Sequence, residues 1–232
     1  MVIEDDSHYL VSLFQFSDEA NFSEFYDYCD SSAAILSQYD GFRSAFGYLS
    51  TYEMAKYPYV GITELASMDV LYEVIEEKQL AVRLTPPDNI STMTLFATCR
   101  TNGYAARRTE HRNHTEDSVV FINPFSRPAD ERDSPESLEL ERRNLMLARA
   151  NHEFKGYKGF STTIPTAIHN YVALAEFATE KGFLAHMNSK VVKAANQGFE
   201  QINTSGYPGV YKLVLAKTDD GYEFDNRLRE EV

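Results

Sequence analysis

Tryptophan is absent from the 232 residues, cysteine occurs twice, and the 22 lysine and arginine side chains are outnumbered by 35 aspartates and glutamates. Each shortage removes a class of explanation. Two thiols, Cys29 and Cys99, in a chain that opens with no charged-then-apolar segment predict a reducing, cytoplasmic setting without a structural disulfide. The Asn-X-Ser/Thr sequons NFS, NIS, NHT and NTS are then chance matches, because glycosylation needs secretion. A net charge of -13 works against nucleic acid or an anionic membrane as a general partner, since both are met by positive surface. No apolar run approaches the roughly 20 residues of a membrane span. A Gly-rich phosphate loop, a GxSxG nucleophile turn and a Cys–His pair are also missing. What the chain does have is aromatic mass, with 15 Tyr and 15 Phe, and enough length for one large domain or two small ones.

The order of elements is written twice. YLVSLFQF reads as a strand, and Ser17-Asp18-Glu19 as the start of a helix whose apolar stripe is Phe22, Phe25, Cys29, Ala33 and Leu36, closed by Gly41. FRSAFGYLST and YPYVGITELAS follow as a hairpin, then a helix from Met68 that TPPDN breaks, then the strand TMTLFATCR. The second half runs through SVVFINPF, a helix from about Ser134 to Lys155, strands FSTTIPTAI and YVALAEFAT, the helix GFLAHMNSKVVKAANQGFEQI and the strand VYKLVLAKT. YDGF (39–42) and YKGF (157–160) look like marker copies, and YVGITELAS against YVALAEFAT fixes an offset of 112, the difference between Glu176 and Glu64. Each half is therefore β-α-β-β-α-β, the ferredoxin-like unit. The predicted fold class is α+β: residues 1–100 a first repeat, 101–117 a polar connector, 118–232 a second repeat, the two packed sheet to sheet as an intramolecular dimeric α/β barrel with a cavity between each sheet and its own helices.

ALAEFATEKGFLAHMNSKVVKAANQGF resembles the antibiotic biosynthesis monooxygenase family of the dimeric α/β-barrel superfamily, in which a strand ending in an acid leads to a helix carrying an apolar residue, Ala-His and a Ser three places on. Here those positions are Glu176, Phe183, Ala185-His186 and Ser189. The likeness spans some sixty residues of the second half, and the first half has Val74 and Glu77 where His186 and Ser189 would fall. It implies a small oxygenase of aromatic or quinone-like molecules, often working without metal or tightly held cofactor. Heme-degrading relatives carry an Asn on the first strand, matched by Asn123, but their iron-ligating His position holds Asn196, whose carboxamide does not replace an imidazole ligand.

Three side chains are expected to carry catalysis. His186 sits at the edge of an apolar stripe with Phe183 and Met187, and imidazole titrates near ~6.5, close to working pH. Asn123 interrupts an apolar strand, where a carboxamide can hold a carbonyl or oxyanion. His152 is placed on the face of Leu138, Leu145 and Ala148, while His169, in a turn, is read as exposed. Arg107, Arg108 and Arg112 concentrate positive charge in the connector and could hold the phosphate of a diffusible reduced flavin, FMN or FAD. HRNH, with His111 and His114, finds no third ligand nearby, so no metal is expected.

The expected activity is a metal-free oxygenase that tailors a phenol or hydroquinone, polyketide-derived, in secondary metabolism. Dioxygen would be the oxidant, reduced flavin an optional co-substrate, and pairing into a homodimer is compatible with it. The rival expectations are a non-oxidative isomerase or cyclase in the same cavity, and a heme or ligand binder without turnover.

Overall fold

The computed structural model describes residues 7–76, 85–104, 115–128, 134–162, 168–221 and 223–225. In the first repeat β1 (His8–Phe16) leads to α1 (Phe22–Leu36), β2 (Phe42–Ser50), β3 (Tyr59–Leu65), α2 (Met68–Glu76) and β4 (Ile90–Tyr104). Asn21, rather than Ser17, starts α1: its side-chain oxygen accepts the backbone N–H of Ser23 and Glu24, satisfying donors that the first turn leaves open. Phe25, Cys29, Ala33 and Leu36 form the buried stripe, as their spacing predicts. The second repeat runs β5 (Val119–Ser126), α3 (Pro135–Arg149), β6 (Phe154–Thr162), β7 (Tyr171–Phe177), α4 (Glu180–Asn188), α5 (Lys190–Ile202), the short β8 (Ser205–Gly206) and β9 (Gly209–Thr218), with β10 (Glu223–Asp225) after it.

The chain divides into two compact units. One takes the described residues within 5–98 and 213–232; the other takes those within 99–212. Both borders fall inside strands, at Thr98/Cys99 in β4 and at Lys212/Leu213 in β9. The first unit orders its strands β10-β9-β2-β3-β1-β4, with β1 flanked antiparallel by β3 and β4. Its helices contribute Ala33, Leu36 and Val70 to a core with Phe42, Ala45 and Leu65. The second unit orders β6-β7-β5, and β5 is partnered at one end by β9 and at the other by β8. Val119, Phe177, Phe183 and Val210 are its core. Each unit is mixed α and β on an antiparallel sheet, in the ferredoxin-like order. No helix among the described residues is long and apolar enough to cross a membrane.

Register confirms the repeat and corrects its markers. Phe42 pairs with Leu65 and Ser44 with Glu64, while Phe154 pairs with Phe177 and Gly156 with Glu176, so both hairpins slip by one residue at the same point and share the offset of 112. YDGF and YKGF are not equivalent. Gly41 turns the chain before β2 at φ 97, a conformation that glycine tolerates without steric cost, whereas YKGF lies inside β6. β6 accordingly starts at Phe154 rather than Phe160, and α3 stops at Arg149 rather than near Lys155. The long helix expected over 182–202 is two helices. Ser189, at φ -65 and ψ 140, ends α4 and caps α5, its hydroxyl accepting from the N–H of Val192.

Candidate functional site

Strand alternation builds a chamber in the second unit. On β5, Phe121, Asn123 and Phe125 point to the helix side, and on β7 Ala173, Ala175 and Phe177 do the same. The intervening Val120, Ile122, Val172, Leu174 and Glu176 occupy the opposite face. Two alanines in the middle of that surface leave a void of about 580 Å³ beneath α3 and α5. Glu141, Asn144, Leu145 and Ala148 line it from α3, and Val192, Asn196, Phe199 and Asn203 from α5 or its cap, each set spaced by threes and fours.

One end of the chamber is aromatic. Phe121 and Phe183 stack at 5.6 Å, and Phe177 meets Phe183 edge to face at 5.4 Å. His186, in the last turn of α4, lies with its ring 5.4 Å from that of Phe177 and lines the chamber. Burial pushes its pKa below the ordinary imidazole value, because the charged form loses hydration there. Its ring makes no hydrogen bond among the described residues, so both nitrogens remain for a ligand.

The middle of the floor is polar at one point. Asn123 Oδ1 is buried without a hydrogen-bond partner among the described residues. β9 accompanies β5 as far as Ile122, opposite Gly209, and β8 takes over at Phe125, opposite Gly206. Asn123 and Pro124 sit in the gap between the two partners, where a proline's missing N–H costs little. Gly206 lies over this point, where a Cβ would sit 3.4 Å from Asn123 Oδ1, in van der Waals contact.

The other end is charged and was not legible in the sequence. Arg127, just past β5, has a fully buried side chain. Its Nη1 donates to Glu141 Oε1 at 2.8 Å and to Ser137 Oγ, and its Nε donates to Asn203 Oδ1 at 3.1 Å. Nη2 has no such partner among the described residues. The guanidinium carbon lies 5.0 to 5.9 Å from the ring centres of Tyr171, Phe125 and Phe199, whose π faces favour a cation. Glu141 and Asn203 both line the chamber, so this charge is delivered to it indirectly.

The expected site residues separate accordingly. His186 and Asn123 share the chamber, joined by Tyr157 and by Asn196. His152 is elsewhere: α3 ends before it, the turn is fixed by Asn151 Oδ1 accepting the N–H of Glu153, and its side chain is 91% exposed, 3.4 Å from Glu153 Oε1. His169, expected at the surface, is buried against Tyr207 with ring centres 5.4 Å apart. Glu176 is buried on the face away from the chamber. Arg107, Arg108, Arg112, His111 and His114 lie outside the described residues. The first unit has a smaller hollow of about 260 Å³, lined by the rings of Phe14, Tyr28 and Tyr59 among others.

No known family profile matches the sequence, and no curated protein matches it. Solved structures do. An anthrone oxidase-like protein superposes with a TM-score of 0.70 at 12% identity, covering 97% of this chain and 98% of its own. A monooxygenase candidate from Lactobacillus acidophilus NCFM gives 0.59 at 7% identity, over 95% of this chain and 100% of its own. Chlorite dismutase from Candidatus Nitrospira defluvii gives 0.56 at 11% identity, over 90% and 92%. At such identities the likeness is one of fold, and it extends over both repeats.

Proposed function

We propose that the chamber of the second repeat is the active site of an oxygenase acting on an electron-rich, phenolic or enolisable aromatic molecule. The observation that carries the reading is that an imidazole kept neutral by burial and an unpartnered carboxamide line one void walled by phenylalanines. The void lies within the roughly 300–1,000 Å³ range of small-molecule sites, whereas the first repeat's hollow falls just below it. The structural likeness to an anthrone oxidase-like protein and to a monooxygenase candidate adds support at the level of fold.

Chemically, His186 takes the acidic proton of the bound aromatic, and Asn123 meets the oxygen of that group. The carboxamide oxygen accepts from a hydroxyl before ionisation, and its NH₂ donates to the oxyanion afterwards. The anion reduces dioxygen at carbon, and for an anthrone the balance is one substrate and one O₂ giving one quinone and one water. The phenylalanine walls exclude bulk water while the peroxidic product collapses. His152 has no part in this scheme. Reduced FMN or FAD as co-substrate belongs to the proposal for less electron-rich substrates, as do the barrel of two facing sheets, a homodimer and a place in polyketide tailoring.

The test is oxygen uptake with anthrone in wild type and His186→Ala. A loss of about 10²–10⁴-fold in kcat with binding retained is expected for a general base. Equal turnover in the variant removes the base from the scheme, and product formation without oxygen uptake would instead support an isomerase or cyclase.

A further inference from the structure

The charged end of the chamber is built in a way that the oxygenase scheme leaves unused. Glu141 lines the void with its side chain 12% exposed, and only its Oε1 is engaged, by Arg127. Asn203 lines it too, with Oδ1 occupied by Arg127 Nε. One carboxylate oxygen and one carboxamide NH₂ are therefore left without protein partners among the described residues. Both groups are held by a single guanidinium, Asn203 through Nε and Glu141 through Nη1, and both line the same end of the chamber. An ion-paired carboxylate offers lone pairs and no donor, whereas the remaining amide nitrogen offers donors and no lone pair. A hydroxyl is the small group that satisfies both, donating to one and accepting from the other.

We propose that Glu141 and Asn203 form a specificity site for a second hydroxyl on the aromatic ligand, remote from the group that His186 deprotonates, with Arg127 as the positioning residue. The ligand class is thus a polyhydroxylated aromatic, reacting at one edge and recognised at the other. This rests on the aromatic-oxygenase reading of the same chamber and deepens it. Discrimination comes from the protein's own buried groups: a ligand that fills the end without donating leaves the Glu141 oxygen dehydrated and unmet. Arg127 acts from beneath. Its buried charge fixes both partners, and no surface lysine or arginine competes for them among the contacts it makes.

The experiment is anaerobic binding, read by calorimetry, of 2,6-dihydroxynaphthalene and 6-methoxy-2-naphthol to the full chain. Both probes accept at the far oxygen, but only the first donates there. Wild type is expected to favour the diol by ~10-fold or more. In Glu141→Gln the side-chain oxygen stays on Arg127 and an NH₂ replaces the acceptor, so the preference should shrink to within ~3-fold. Arg127→Lys, which keeps the charge and loses the planar fork, should lower the same ratio. Should either variant fold poorly, Arg127→Met with Glu141→Leu removes both charges together and must also abolish the preference. Equal affinity of the two probes for wild type, or a preference that survives Glu141→Gln and the double variant, overturns the proposal while leaving the aromatic site standing. Failure of both probes to bind wild type overturns the aromatic reading and this proposal with it.

Discussion

Arg127 carries a full charge where its side chain has no contact with solvent, and its hydrogen bonds to Glu141, Ser137 and Asn203 make that tolerable. Removing one partner of such a pair is costly; removing both is not. Arg127→Met should lower stability by about 3–5 kcal/mol in denaturant titrations, and Glu141→Leu added to it should restore most of the loss. At His186 the depressed pKa sets a sign. The unfolded chain binds this proton more tightly than the folded one, so the contribution is complete above about 6.5 and is lost as pH falls towards the lower folded value. The same shift keeps the base form present in mild acid. The acidic limb of a kcat/KM profile should therefore have its midpoint below about 6.5, and it should vanish in His186→Ala. His186 and Asn123 were legible because their residue types break an apolar pattern at a chemically useful place. Arg127 was not, since an arginine after a strand looks like any surface arginine until the rings of Phe125, Tyr171 and Phe199 are seen around it.

Between residue and fold, two junctions do most to shape the chamber. One is Ser189, where a single predicted helix becomes two. Its hydroxyl caps α5, and Ser189→Ala should cost about 1 kcal/mol, measurable in urea. The sequence showed an unbroken apolar stripe there because both helices face the same void and no proline marks the change. The other is the hand-over from β9 to β8 along β5. Gly206→Val should crowd Asn123 and Phe125, which lie 3.4 and 3.7 Å from where its Cβ would sit, and weaken aromatic binding about tenfold or more in calorimetry. The hairpin registers were readable from YVGITELAS and YVALAEFAT because strand alternation encodes facing directly. The start of β6 was not, since Lys155 and Lys158 interrupt the apolar pattern of the strand.

For the molecule as a whole, the chamber of the second unit is larger than the hollow described in the first, and the paired order of elements in the sequence did not show which volume would be the larger. The inequality follows from where aromatic rings fall: Phe14, Tyr28 and Tyr59 crowd the first hollow, while Ala148 of α3 with Ala173 and Ala175 leaves more room in the second. Calorimetry with 2,6-dihydroxynaphthalene should accordingly give one molecule bound per chain, and a substitution that shuts the larger hollow, Ala175→Phe, should abolish it. The borders inside β4 and β9 bear on where the chain can be divided. Each compact body takes a stretch from the far side of the connector, since one includes the described residues within 213–225 and the other includes 99–104. Severing the coding sequence at the linker would hand every fragment a piece belonging to its sibling and withhold one of its own. One body is thus assembled from both ends of the described chain, while the other is a continuous stretch between them.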